Sequence, residues 1–187
     1  MKIAIIVGST RPGRLGSQVG AWVAAHATDR DEATFEVLEV ADFGLSLLDE
    51  ATIPGAADRE YENPRTREWS TAVDSYDGFV FVAPEYNHSV SAAMKNAFDV
   101  LYPEWAGKTV AFVGYGASGG IRAVEHWRGI VANASMFATR NQVAVNTLTD
   151  FPGGELAPSD RLATDLTGVL DELVTLTSRI GSPALAI

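Results

Sequence analysis

Three near-continuous apolar runs constrain this chain most: KIAIIV (2–7), GFVFVA (78–83) and TVAFVG (109–114). Strands without polar alternates need cover on both faces, which is the condition of central strands in a parallel sheet. Helical stripes lie between them. Val19, Trp22, Val23 and His26 mark one, and Trp69, Val73 and Tyr76 a second. Val90, Ala93, Met94, Ala97, Phe98 and Leu101 mark a third. Residues 121–134 read as a fourth helix, 140–146 as a fifth strand, and Leu162, Leu166, Val169, Leu170 and Leu173 as the stripe of a last helix. The remaining strand, TFEVLEV (34–40), alternates and carries Glu36 and Glu39, so it suits an edge. Residues 50–64 read as a long surface loop. Strands that alternate with helices pair in parallel, each helix supplying a crossover. The expected fold is α/β, a five-stranded parallel sheet of order 2-1-3-4-5 with helices on both faces. In such sheets the ligand lies beyond the carboxyl ends of strands 1 and 3, where the connections diverge.

The 187 residues predict one domain over 1–187. A net charge of -10 argues against a nucleic-acid partner, whose phosphates it would repel. No run is long enough to span a membrane, and the first apolar run is too short for a signal peptide. The absence of cysteine excludes disulfides and thiolate chemistry and fits a reducing cytoplasm.

Three loops follow the apolar strands. The first, GSTRPGRLGS (8–17), sets Arg11 and Arg14 among glycines in an acidic protein. Ser9, Thr10 and Ser17 offer hydroxyls, and Ser17 is placed to cap the next helix. Backbone N–H groups at a helix start and forked guanidinium donors together make a phosphate cradle. Gly8 and Gly13 have P-loop spacing, but Arg14 replaces the lysine and Leu15 the Mg-binding hydroxyl. An NTPase is therefore disfavoured, and a monophosphate or sugar-phosphate cofactor is expected.

The second loop, PEYNHSVSA (84–92), offers Pro84 at the strand exit, Tyr86 to lie against a flat ring, and Asn87 to hydrogen-bond. Glu85 and His88 are a tuning carboxylate and a proton donor, or simply solvated loop residues. The third, GYGASGG (114–120), spells G-x-G-x-x-G with Gly114, Gly116 and Gly119. Its usual acidic companion about 20 residues on is missing, and it follows the fourth strand rather than the first. Its N–H groups suit the polar edge of a ring held between the second and third loops.

GSTRPGR, PEYNHSVSAAMKNAFD and GYGASGGIRA, in this order and spacing, resemble the NADPH-dependent FMN reductase family. These are flavodoxin-like flavoenzymes that include quinone, azo-dye, ferric and chromate reductases. The resemblance covers about the first three-quarters of the chain. It implies FMN, with its phosphate at Ser9, Arg11, Ser17 and Gln18 and an extra contact from Arg14. It implies that Pro84, Glu85, Tyr86 and Asn87 line the isoalloxazine, and that Gly116, Ser118 and Gly119 meet its pyrimidine side. It implies NADPH or NADH as donor, a small acceptor (quinone, flavin, azo compound or metal ion), and a homodimer or dimer-based homotetramer. The family's usual first loop is shorter, and a small or aromatic residue usually stands at His88.

The hydride chemistry would belong to the cofactor, so no catalytic side chain is expected. Arg122, Arg128 and Arg140 are candidate partners for a 2′-phosphate. Trp105, Tyr115 and Trp127 either wall the pocket or pack the core. Two readings compete with the reductase: a non-enzymatic FMN electron carrier of flavodoxin type, and a flavin-free binding protein on the same scaffold.

Overall fold

The apolar runs become the middle of one sheet in the computed structural model. β1 (Lys2–Val7), β3 (Gly78–Tyr86) and β5 (Thr109–Gly116) lie between β2 (Thr34–Glu39) and β6 (Phe137–Asn146). The order is β2-β1-β3-β5-β6, and all four pairings are parallel. This is the expected order with one strand added. β4 (Ser89–Val90) runs antiparallel to the end of β3, so the sheet has six strands rather than five. The fold is flavodoxin-like. The structure describes residues 1–181; residues 182–187, which the single-domain expectation over 1–187 takes in, lie outside the described residues.

Alternation within the strands sorts side chains by size. Ala4, Ile6, Phe79, Phe81, Val110 and Phe112 face one side. There they meet α3 (Pro64–Asp74), α4 (Ala92–Asp99) and α5 (Ile121–Asn133) through Trp69, Phe98 and Trp127. Ile3, Ile5, Val7, Val80, Val82 and Val113 face the other side. There they meet α1 (Gly16–His26) and α6 (Asp160–Ile180) through Val19, Val23, Leu166 and Leu170. Each such aliphatic side chain contributes about 1.5–3 kcal/mol on burial. Trp105 and Trp127 belong to the aromatic layer, at 1% and 0% exposure, and do not wall a pocket.

Several boundaries move for local reasons. Ser91 caps α4 by accepting from the Met94 N–H, so Val90 falls outside the helix and into β4. A four-residue helix, α2 (Val40–Phe43), follows β2 and ends at Gly44 in the left-handed region. β6 starts at Phe137, three residues before the expected strand. The 50–64 segment is not wholly a surface loop. It makes a 3-10 turn at Pro54–Ala56 and sinks Tyr61 to 4% exposure. Nor does Ser17 cap α1. Leu15 holds that position without a side-chain bond, and Ser17 lies inside the first turn.

Candidate functional site

β1 hands the chain to α1 on one face of the sheet, and β3 hands it through β4 to α4 on the other. A cleft of about 410 Å³ opens at this divergence, lined by Arg11, Arg14, Pro84, Glu85, Tyr86, Tyr115 and Gly116, with Gly13, Leu15, Ala117 and Thr147. The three loops singled out in the sequence meet there. A cleft of about 440 Å³ lies at the opposite end of the strands, by Asp77, Lys108 and Thr177. It lacks a glycine-rich loop and a free arginine fork, so the chemistry favours the carboxyl end.

The first loop is pressed onto α4. A side chain at Gly8 would put its Cβ 2.2 Å from the Met94 sulfur, so glycine is required for this approach. The Ser91 hydroxyl donates to the Gly8 carbonyl at 2.8 Å. Ser9 is fully buried. Its hydroxyl shares a 2.7 Å hydrogen bond with Tyr86 and accepts from the Arg11 N–H at 3.4 Å. Ser9 therefore ties the first loop to the second. Arg11 is exposed, with its guanidinium 5.9 Å from the Tyr86 ring centroid, and has no carboxylate partner among the described residues. Arg14 differs, because its Nε donates to Glu39 at 3.0 Å. Gln18 is also engaged elsewhere. It donates to the Gly154 carbonyl at 3.0 Å and accepts from the Leu156 N–H at 2.8 Å, pinning the 152–156 turn. These bonds occupy both ends of the Gln18 side-chain amide.

The second loop is a hairpin. β3 runs on through Pro84, which sits opposite Tyr115 in the ladder, so Pro84 does not mark the strand's exit. Asn87 and His88 make the two-residue turn, with φ of 50° and 67°. Both are exposed, and the left-handed pair is the type I′ pattern that suits strand twist. Glu85 is only 5% exposed in its side chain. It accepts from Arg122 Nε at 2.7 Å, from the Arg122 backbone N–H at 3.1 Å, and from Arg122 Nη2. Burial pushes the Glu85 carboxyl up, but the hydrogen bonds and charge of Arg122 outweigh it and hold it below the usual carboxylate range.

In the third loop, Gly119 and Gly120 have φ of 72° and 69°. A Cβ at Gly120 would lie 2.4 Å from the Tyr115 nitrogen. Gly116 accepts from the Gly119 and Thr147 N–H groups at 2.9 and 3.0 Å. Ser118 stands exposed at the turn, and Gly119 is buried beneath it.

Tyr115 carries the clearest sign of a ligand. Its hydroxyl is buried beside that of Ser9 and, like the Trp127 indole N–H, makes no hydrogen bond of ordinary geometry among the described residues. It points at the first turn of α1, where a Cβ on Gly16 would come within 2.6 Å of it. Burial pushes its pKa up, so it stays a donor. Buried hydroxyls are seldom left unpaired. The Tyr115 side chain also lines the cleft. Exposed Arg11, the α1 N-terminus and the first-loop N–H groups suit a phosphate beside it. The residues present thus fit a flavin mononucleotide. The sequence left Tyr115 as either a pocket wall or a core residue; its place between two glycines at a strand end was the available signal. Thr147, from beyond β6, had none.

The comparisons agree with this geometry. The family model for NADPH-dependent FMN reductase matches residues 1–150. The chain is similar to the NAD(P)H-dependent FMN reductase ntnL of Nectria sp., at 43% identity over 126 residues, 65% of this chain and 63% of the relative. It thus spans somewhat under two thirds of that relative's length. It is 31% identical over 180 residues to the NAD(P)H-dependent FMN reductase C4B3.06c of Schizosaccharomyces pombe, covering 96% of this chain and 84% of that one. Among solved structures it shares its fold with FerB, a flavoenzyme NAD(P)H:(acceptor) oxidoreductase from Paracoccus denitrificans. There the TM-score is 0.75 at 20% identity, over 97% of this chain and 99% of that one. With a glycine-arginine loop, a hairpin and a second glycine loop gathered at one switch point, and with four-fifths of its length matched by one family model, the chain belongs to the NADPH-dependent FMN reductase family.

Proposed function

We propose that this chain passes hydride from NADPH or NADH, through FMN held in the carboxyl-end cleft, to a small acceptor such as a quinone, flavin, azo compound or metal ion. The observation that carries the reading is the meeting of the three loops at one cleft, with Arg11 at its mouth and Tyr86 and Tyr115 in its lining. FMN, when bound, supplies the redox chemistry. The chain's own residues bind and orient. Arg11 and the first-loop N–H groups hold the phosphate, and Tyr115 donates to an oxygen of the nucleotide. Ser9 serves through Tyr86 and Ser17 through its helical N–H. Arg14 acts from its Glu39 pair, which fixes its guanidinium at the cleft. Pro84, Glu85, Tyr86 and Asn87 border the ring on one side, with Gly116, Ser118 and Gly119 on the other. The Glu85–Arg122 pair braces the hairpin against α5.

The acceptor class and the assembly belong to the same reading. Leu47, Leu48 and Ile53 are exposed at 75%, 43% and 71% and lie on the α4 side of the cleft. Such a concentration suits a homodimer contact. No helix among the described residues is long and apolar enough to cross a membrane. A cytoplasmic location is part of the proposal.

The test is anaerobic mixing of FMN-loaded protein with NADPH or NADH, read at the flavin absorbance. Rapid bleaching followed by reoxidation with a quinone supports the reductase. A flavin that stays oxidised supports the electron-carrier reading, and a protein that takes up no FMN supports the flavin-free one.

A further inference from the structure

Three arginines outside the first loop were candidates for a 2′-phosphate, and the structure separates them. Arg128 is consumed by the fold. Its guanidinium donates to the Thr139 carbonyl at 2.7 Å and the Arg140 carbonyl at 2.9 Å, and lies 5.5 Å from the Phe112 ring centroid. Arg140 stands in the amino-terminal half of β6, beside Glu172 and Arg179, at the far end of the strand from the cleft. Arg122 is different. It occupies the first turn of α5, directly after the third loop, at the cleft rim.

Its setting is that of a pre-aimed anion receptor. The Nε and Nη2 edge is fixed on Glu85, a carboxylate that lines the cleft yet is itself covered. The Arg122 side chain remains 42% exposed, so the rest of the fork is open to solvent. A guanidinium held on one edge loses little further freedom when the other binds phosphate. One turn on, His126 lies on the same helix face at i+4. It is exposed, and its Nδ1 shares a 2.9 Å hydrogen bond with Ser89 of the hairpin. His88 stands exposed at the hairpin turn. Arg122 and His126, on α5, therefore border one side of the hairpin whose turn carries His88, outside the residues assigned to FMN.

We infer that this rim is a subsite for the 2′-phosphate of the reducing nucleotide, with Arg122 as its specificity-determining residue, so that the chain prefers NADPH to NADH. The inference rests on the reductase reading and extends it to the choice of donor. Glu85 acts as a positioning residue for the Arg122 fork.

The experiment uses FMN-loaded protein and two probes, 2′,5′-ADP and 5′-AMP, titrated by calorimetry. It is paired with KM values for NADPH and NADH. Wild-type protein is expected to bind 2′,5′-ADP at least tenfold more tightly than 5′-AMP, the scale of one charge-assisted pair. Arg122→Gln, which keeps a donor for Glu85, is expected to erase that preference and to lower the NADPH-over-NADH ratio of kcat/KM about tenfold, mainly through KM. Arg122→Lys should restore part of it, and Arg140→Gln should leave it intact. Equal weakening of both probes in Arg122→Gln, or a preserved preference for 2′,5′-ADP, overturns the subsite and leaves Arg122 a brace for Glu85. Failure of both NADPH and NADH to bleach the wild-type flavin removes the reductase reading itself, and this inference with it.

Discussion

Tyr61 and Tyr115 are both nearly fully buried, at 4% and 6% exposure, yet their hydroxyls meet opposite surroundings. The Tyr61 hydroxyl donates to both oxygens of Glu104, at 2.9 and 3.0 Å. Glu104 is itself completely buried, and also accepts from the Ser70 hydroxyl at 2.6 Å and the Tyr102 N–H at 3.3 Å. Every polar group in that knot has a partner from within the chain. It clamps the 50–64 segment to α3 and to the turn before β5. The Tyr115 hydroxyl has none, and Arg11 above the same cleft has no carboxylate. A fold that satisfies one buried tyrosine with three elements leaves the other without a partner where its loops converge. On the proposed function, the first site carries stability and the second carries binding.

The comparison can be broken most severely at Glu104. Glu104→Ala strands two buried hydroxyls and the Tyr102 N–H and should cost about 3–5 kcal/mol in urea unfolding, with FMN affinity of the folded protein retained. A cost near zero would mean that the knot is not structural. Arg11→Ala attacks the second site and should weaken FMN binding by about 1–3 kcal/mol in a fluorescence titration, with little change in unfolding midpoint. Unchanged affinity would remove Arg11 from the phosphate site. The smallest effect concerns Glu85, which belongs to the cleft but is partnered like the knot. Its carboxyl is held below the usual range of about 4.5, so its contribution to stability is present above that value and is lost as pH falls through the lower folded-state value. Wild-type protein should therefore lose about 1 kcal/mol or less beyond what Glu85→Gln loses between about pH 5 and pH 3. Parallel stability curves for the two proteins would show that the Arg122 pair is not felt.

The sheet was legible because its central strands are uninterrupted apolar runs that only a doubly covered position can use. Lys2–Val7 is the strand in both readings, and the stripe from Leu162 to Leu173 is the inner face of α6. The hairpin was hidden because Val90 continues the helical spacing of Met94 and Phe98, and nothing local shows that Ser91 caps α4 instead. At the site, Arg11, Tyr86 and Gly116 could be placed from loop chemistry. The partners that hold the Gln18 and Arg14 side chains come from Gly154 and Leu156, and from Glu39, far along the chain. Only the folded sheet brings them together. The Glu104 knot was invisible for the same reason, since Tyr61, Ser70 and Glu104 lie in three separate segments.

The paired substitution of the two tyrosines bears most directly on the division between the two sites. Each is changed to Phe, and urea unfolding and FMN titration are run on both. Tyr61→Phe should lose about 1–2 kcal/mol of stability and keep its FMN affinity. Tyr115→Phe, which removes an unpaired hydroxyl, should keep or gain stability without ligand and lose about 1 kcal/mol of FMN binding. Tyr115→Phe binding FMN as tightly as the wild type would contradict the account.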